Sequence, residues 1–300
     1  SLQMAECSGC LITAALLVVT ALLIFAYFFS RLARYYIRCV LWYLTMLLNA
    51  AVCVVIGPPA RIFGDASKVV FKSMFILSRW TGIQVDLRRY DEVYLKQMTP
   101  CVVLCNHQSA LDVVVMAASF PPRGTAMMKK SLMYVPIFNI TAWLCNSIFV
   151  DRFNRERAQK AIDQCTDAIK QKNLKLWVFP EGTRNRSLDG MLPFKKGAFN
   201  IAVNAQIPVV PMVASSYKCF YSKHDKYFES DGEVIVHVMD PIPTTGLRMD
   251  DVPAFSDKVR EQMLEVYERI TAEVNERMMK KRGTATPFPP PACLHDKKTE

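Results

Sequence analysis

Two segments of this sequence carry side chains whose types and spacing allow chemistry. In Asn106-His107-Gln108-Ser109-Ala110-Leu111-Asp112, an imidazole precedes a carboxylate by five positions. A carboxylate so placed can accept the hydrogen bond of one ring nitrogen and fix the tautomer. The other nitrogen is then free to take a proton from a hydroxyl. The pattern alone is weak, because a polar strand–helix turn capped by Asn106 or Ser109 uses the same residue types. Ser109 reads as such a cap rather than a nucleophile, and no G-x-S-x-G elbow exists to present a serine. The second segment is Phe179-Pro180-Glu181-Gly182-Thr183-Arg184-Asn185-Arg186-Ser187. Pro180 and Gly182 impose an irregular turn that brings backbone N–H groups forward, near Gly182 a possible source of an oxyanion donor. Glu181, Thr183 and Arg184 project from that turn. The planar fork of Arg suits a phosphate.

Both segments need elements to hold them, and both follow short apolar runs, CVVLC at 101–105 and LWVF at 176–179. Sites in α/β sheets sit at the ends of such strands. IPVVPMV at 207–213 reads the same way, while Ile83, Val85 and Leu87, and Val234, Val236 and Val238, alternate as half-buried strands do. Ala158, Ile162, Cys165 and Ile169 have helical spacing. Phe255, Val259, Met263, Val266, Ile270, Val274 and Met278 predict a long amphipathic helix packed on the sheet. Strands alternating with helices indicate an α/β fold with a mixed central sheet flanked by helices. The expected organisation is membrane helices over 1–62, an α/β domain over 63–282 and a Pro-rich disordered tail over 283–300.

Hydrophobic residues make up 51% of the 300 residues, and the mean hydropathy is +0.13. Leu11–Phe29 and Cys39–Ala60 carry no charge, and each matches the roughly 20 apolar residues that a helix needs to enter a bilayer. Arg31, Arg34 and Arg38 lie between them. Two geometries are open: two full spans, or a helical hairpin in one leaflet with the arginines at headgroup phosphates. A third uncharged stretch, 131–150, is broken by Pro136, Asn139 and Asn146, and a buried helix leading into a buried strand is expected there. The net charge of +10 favours anionic partners. The apolar N-terminus and the scarcity of basic clusters with interleaved aromatics argue against nucleic acid. Ten scattered cysteines suggest a reducing compartment, with Cys7 and Cys10 open to acylation at most.

The two polar segments, together with Ile148-Phe149-Val150-Asp151-Arg152 and Ile207-Pro208-Val209-Val210-Pro211, resemble the four ordered blocks of the glycerolipid acyltransferase family. Within it, the animal-type members that acylate lysophosphatidate are the nearest in pattern over roughly residues 10–280. One departure is Asn146, where the second block begins with Gly in the family. The resemblance implies a transfer of a fatty acyl group from acyl-CoA to the sn-2 hydroxyl of lysophosphatidate, without an acyl-enzyme. It makes His107 the base and Asp112 its orienter. Arg184 and Arg152 would bind the acceptor phosphate, with Lys130, Lys195 and Lys196 adding positive field. Glu181 would position the acceptor or Arg184, Gly182 and Thr183 complete the binding turn, and Pro211 would shape the strand end near the acyl chain. The partners implied are acyl-CoA, lysophosphatidate and a phospholipid membrane, with no metal and no cofactor. Acyl-CoA is cytosolic, so the resemblance implies an endoplasmic reticulum protein with a cytosolic catalytic face, and Lys297-Lys298 resemble a retrieval signal. Rival readings are another acceptor (glycerol-3-phosphate or another lysophospholipid), a CoA-independent transacylase, and an inactive membrane-shaping scaffold.

Overall fold

The computed structural model describes residues 2–63, 65–90, 100–134, 138–150, 166, 169 and 171–288. Seven strands form one sheet: β1 (Gln84–Arg88), β2 (Cys101–Cys105), β3 (Gly124–Lys129), β4 (Ile148–Val150), β5 (Lys175–Val178), β6 (Val209–Ala214) and β9 (Glu233–Val238). Their order is β1-β9-β6-β2-β5-β3-β4. Only the β6–β9 pair is antiparallel, so the sheet is mixed as expected. β7 (Tyr221–Ser222) and β8 (Tyr227–Phe228) form a separate small hairpin.

The helices follow from the strand order. After β2, the chain crosses over β5 through α4 (Asp112–Ser119) to reach β3. After β5, it crosses over β2 in the opposite direction through α6 (Gly197–Ala205) to reach β6. Right-handed crossovers running opposite ways place these two helices on opposite faces of the sheet. α7 (Val252–Arg282) packs beside α6, burying Phe255, Val259, Met263, Ile270, Val274 and Met278. Tyr267 takes the buried place expected of Val266. The sheet centre is dry: Val102, Val103, Leu104, Leu176, Val209 and Val210 are fully buried. β9 departs from the half-buried expectation, since Ile235 is as buried as Val234 and Val236. An inner strand is covered on both faces, so alternation in sequence does not mark one face for water. β3 was not evident, because GTAMMK offers neither an apolar run nor an alternation.

α1 (Leu2–Phe29) and α2 (Arg31–Phe63) meet at Ser30. Helical hydrogen bonds pass through the junction, from Ser30 N–H to Ala26 C=O (2.8 Å) and from Arg34 N–H to Ser30 C=O (2.9 Å). The chain nevertheless bends there: Thr20, Leu23, Ile24 and Tyr27 of α1 line one cavity with Ile37, Arg38 and Leu41 of α2, and both membrane geometries stay open. The arginines lie inside α2. Arg38 is buried and donates to Thr81 C=O and Glu229 C=O, and Arg34 pairs with Glu229. One face of α2 buries Tyr35, Trp42, Asn49, Ala50 and Cys53. Tyr35 and Trp42 belong to the same apolar core as the sheet. The opposite face exposes Val40, Leu44, Leu47, Leu48 and Val55. α3 (Ala66–Leu77) packs against α2, its N-terminus capped by the Asp65 carboxylate.

Residues 131–150 differ from expectation. α5 (Phe138–Leu144) is seven residues long, far too short to span, and it is only half-buried. Ala142, Leu144 and Cys145 pack inward, where Gly57 of α2 approaches Leu144 so closely that a Cβ would lie 2.3 Å from its Cδ1. Ile140 and Trp143 face outward, and β4 is an edge strand among the described residues. Of the helical pattern at 158–169, only Ile169 is described, and it is helical and buried. Arg152, Cys7 and Cys10 (as side chains) and the tail from 289 lie outside the described residues.

Candidate active site

β2 and β5 are parallel neighbours, with Leu104 opposite Val178, and β6 flanks β2 on its other side, with Cys105 opposite Met212. The segments that follow these strands therefore emerge side by side at one edge of the sheet. Asn106 prolongs the pairing beyond the strand end: its amide donates to Ala214 C=O (2.9 Å) and accepts from Ala214 N–H (2.8 Å). Gln108 donates to Ser215 C=O and accepts from Tyr217 N–H. These two amides clamp the loop that carries His107.

His107 Nδ1 lies 2.6 Å from Asp112 Oδ2. Asp112 opens α4, where the helix N-terminus favours negative charge. Oδ2 also accepts the backbone N–H groups of Gln108 (2.8 Å) and Ser109 (3.1 Å). A carboxylate held by three donors is an acceptor, so Nδ1 carries the proton and Nε2 presents a lone pair. The imidazole is stacked on Phe179, with centroids 4.1 Å apart and an interplanar angle of 18°. Its side chain is 20% exposed and Nε2 has no hydrogen-bond partner among the described residues. A positioned, accessible base is the result. Ser109 Oγ accepts from Leu111 N–H (2.9 Å), the capping role expected of it. Behind the pair lies Tyr217, which the motifs did not mark. Burial, and then the Asp112 carboxylate, push its phenol well above the ordinary value, so it stays neutral.

The turn after β5 is built differently from the expectation. Glu181 does not reach out to a substrate or to Arg184. Its Oε1 accepts His107 N–H (2.7 Å) and its Oε2 accepts Leu192 N–H (2.9 Å). It is 1% exposed, and burial pushes its carboxyl up against the pull of those two N–H groups. Gly182 has φ +70°, a left-handed backbone that glycine alone adopts freely. Its N–H donates to Phe179 C=O (3.1 Å), so it closes the turn and is not turned toward the cleft. Asn185 N–H donates to His107 C=O (2.7 Å). Both backbone polar groups of His107 are thus held by the neighbouring turn.

Arg184 is exposed at the mouth of a cavity of about 250 Å³. Ser109 and Ala110, Tyr36 and Tyr43 of α2, and Arg186 and Lys223 line it as well. Arg186 sits two positions beyond Arg184 in the same segment. Lys223 and the α2 tyrosines come from distant parts of the chain and carry no local signal. Thr183 is exposed on the same turn. Lys195 donates its backbone N–H to Pro180 C=O and extends an exposed side chain. Lys196 is drawn away from the cleft into an ion pair with Asp257 of α7 (2.8 Å). Lys130 starts the short 3₁₀ turn Lys130–Tyr134 after β3, on the far side of β5 from His107's strand. Pro211 is buried within β6, paired with Leu104, and so does not shape the strand end. Its C=O accepts Met239 N–H (2.9 Å) at the end of the β6–β9 pairing, and only the reciprocal N–H bond is missing.

A second cavity, of about 120 Å³, is apolar and lies between α2, α3, α4 and α5, lined by Met46, Phe71, Met74, Val113, Met116 and Met128 among others. Phe71 also lines a surface groove of about 400 Å³ on its other side and stacks on Phe120 at 3.8 Å. No cluster of metal-ligating side chains occurs among the described residues.

Residues 86–215 match the Acyltransferase family. The acl-2 protein of Caenorhabditis elegans is 46% identical over 263 residues, covering 88% of this chain and 92% of its own length. Human 1-acyl-sn-glycerol-3-phosphate acyltransferase alpha is 36% identical over 251 residues, covering 82% of this chain and 86% of its own. The crystal structure of the 1-acyl-sn-glycerophosphate (LPA) acyltransferase PlsC from Thermotoga maritima superposes with a TM-score of 0.57 at 23% identity, over 78% of this chain and 98% of that one, and so shares the fold. On this similarity, spread over most of both chains, the protein belongs to the 1-acyl-sn-glycerol-3-phosphate acyltransferase family.

Proposed function

We propose that the chain transfers a fatty acyl group from acyl-CoA to the sn-2 hydroxyl of lysophosphatidate, giving phosphatidate and CoA. The observation that carries this reading is the His107–Asp112 pair at 2.6 Å, set beside a cleft lined by Arg184, Arg186 and Lys223. Nε2 of His107 takes the proton of the acceptor hydroxyl while the oxygen attacks the thioester carbonyl. The tetrahedral intermediate collapses by breaking the C–S bond, and the imidazolium returns the proton to the departing thiolate. Asp112 keeps the tautomer and stabilises the imidazolium. A positioned base of this kind contributes about 10²–10⁴ in rate. A thiol leaving group with an ordinary pKa of about 8.5 departs readily, so no enzyme nucleophile is needed.

The cleft cations meet the acceptor's phosphomonoester, which carries roughly −1.5 to −2 charges if it titrates like a phosphorylated side chain. Arg152 is assigned to the same phosphate by the family pattern. The apolar cavity against α2, α3 and α5, of about 120 Å³, takes a segment of the acyl chain. The exposed apolar faces of α1 and α2 lie in the bilayer, with α2 giving one face to lipid and the other to the catalytic core. Such one-sided packing favours a protein embedded from one side of the membrane. Use of cytosolic acyl-CoA puts the catalytic face in the cytosol, at the endoplasmic reticulum.

The test is acyl transfer by the purified full chain, with labelled acyl-CoA and lysophosphatidate, in wild type and His107→Ala. Loss of transfer in the variant supports the mechanism, and surviving transfer ends it. Glycerol-3-phosphate and other lysophospholipids as acceptors, and omission of acyl-CoA, separate the rival substrates.

A further inference from the structure

The longest charge-free stretch outside the N-terminal helices is Ser131–Val150. Its described residues build no span, and while Leu144 and Cys145 reach the core, the outer side remains apolar. Tyr134 is 75% exposed, Trp143 55%, Met133 39% and Ile140 37%. Ile62, at the end of α2, is 75% exposed. A surface of this kind with no polar cover marks a contact with something apolar.

Three observations identify the contact. First, the surface is continuous with the lipid-facing side of the N-terminal helices, because α5 packs directly on α2. Second, Arg61 joins the two. Its guanidinium lies 4.1 Å from the Trp143 ring centroid and donates to Asn146 Oδ1 (3.0 Å) and to the Trp143 and Leu144 carbonyls at the C-terminal end of α5. Third, the composition is Trp, Tyr, Met and Ile at the edge of an Arg, with no carboxylate among these described residues. Trp and Tyr with a neighbouring Arg concentrate where apolar tails meet headgroups, and a protein partner surface would pair the Arg with an acid.

We propose that the face formed by Tyr134, Ile140, Trp143 and Ile62 is a second membrane contact, seated in the headgroup–acyl boundary of a phospholipid bilayer. It holds the α/β unit at two places, along α2 and at the sheet edge beyond β4. With two contacts the unit cannot swing about α2, and the cleft keeps a constant depth relative to the bilayer. The inference adds a contact to the membrane reading above but needs no turnover for its test.

The test uses the full chain in phosphatidylcholine vesicles whose acyl chains carry bromine near the headgroup. The emission of Trp143 is the difference between wild type and Trp143→Phe, which cancels Trp42, Trp80 and Trp177. Brominated vesicles should quench this difference emission and unbrominated vesicles should blue-shift it. If Trp143→Phe is not recovered folded, tryptophan placed at Tyr134 (Tyr134→Trp) serves as reporter against the wild-type background. A water-like emission that bromine does not quench overturns the proposal. So does a blue-shifted emission that bromine does not quench, which would mean a second copy of the chain covers the face. The paired Tyr134→Ser, Trp143→Ser variant should raise KM for vesicle-borne lysophosphatidate while leaving transfer to detergent-dispersed acceptor unchanged. Equal KM values in vesicles would count against the contact.

Discussion

Glu181 Oε1 lies 2.7 Å from the backbone nitrogen of His107, and this bond ties the second polar segment to the first. The same carboxylate takes Leu192 N–H at 2.9 Å, so it pins three stretches of chain at one buried point. Its neighbours are backbone groups, which makes it a positioning residue. Glu181→Gln retains one acceptor oxygen and places an amide against the other N–H. We expect kcat to fall while KM for lysophosphatidate stays close to wild type. Glu181→Ala leaves two buried N–H groups unpaired at about 1–3 kcal/mol each, so its melting temperature should drop as well. A rise in KM with kcat unchanged would return Glu181 to direct acceptor binding.

Asp112→Asn keeps the shape of the site but replaces a pure acceptor with a group that can donate to Nδ1. The tautomer that leaves Nε2 as acceptor is then no longer selected. We expect kcat to fall by about 10²–10⁴ at little cost in stability. Transfer within tenfold of wild type would show that the carboxylate is not the orienter.

Arg184 and Arg186 of one segment line the cleft together with Lys223, which comes from a distant part of the chain. Each substitution to Ala should raise KM for lysophosphatidate about tenfold, the size expected for one charge-assisted hydrogen bond. Monoacylglycerol, which lacks the phosphate, should be used with unchanged efficiency. Arg184→Lys should recover only part of the loss, because a point charge replaces a two-pronged donor. Equal effects on both acceptors would show that these residues do not read the phosphate.

Phe71 stands between the apolar cavity and the surface groove, stacked on Phe120. Phe71→Ala should open one into the other and extend the space available to an acyl chain. We expect relative rates to shift toward longer acyl-CoA, measured in competition between chain lengths. The accompanying loss of packing should be about 3–5 kcal/mol or less, since Phe71 is only partly buried. An unchanged chain-length profile would separate this cavity from the donor.

α7 is fastened to β1 by Glu273, which accepts from Arg88 at 2.6 and 2.7 Å and from Arg277 of α7 itself at 2.7 Å, while Arg277 ties α7 to Glu233 of β9. Arg88 foremost holds the Glu273 carboxyl down at about 2, against an ordinary 4.5. A depressed carboxyl contributes stability above its unfolded value and loses it as the folded form takes up a proton. Stability should therefore decline as pH falls from about 4.5 through about 2. Glu273 is half-exposed, so solvent limits the contribution to about 1 kcal/mol or less. In Glu273→Gln the acid limb of a urea-midpoint profile should be flatter and its neutral value slightly lower. An unaltered profile would assign the acid limb to other groups.

Much of the architecture was legible because it rests on local chemistry. CVVLC is buried throughout its length, the seven-residue repeat of α7 faces the core, and the His107–Asp112 spacing spans one turn into α4. An apolar run or a period of 3.6 states its own burial. β3 and the two-sided burial of β9 were not legible, since the place of a strand in the sheet decides which of its faces are covered.

By itself, the sequence determined which residues could act as base, orienter and phosphate ligand, and that apolar helices precede them. Tertiary structure decided what each does. The parallel pairing of β2 with β5 turned Glu181 inward to the backbone of His107, committed Gly182 N–H to its own turn and carried Lys196 off to Asp257. It also brought Lys223 and the tyrosines of α2 to the cleft. Motifs specify residue types along a line. Whether a polar group meets substrate, backbone or another side chain depends on which strands become neighbours, and only long-range packing sets that.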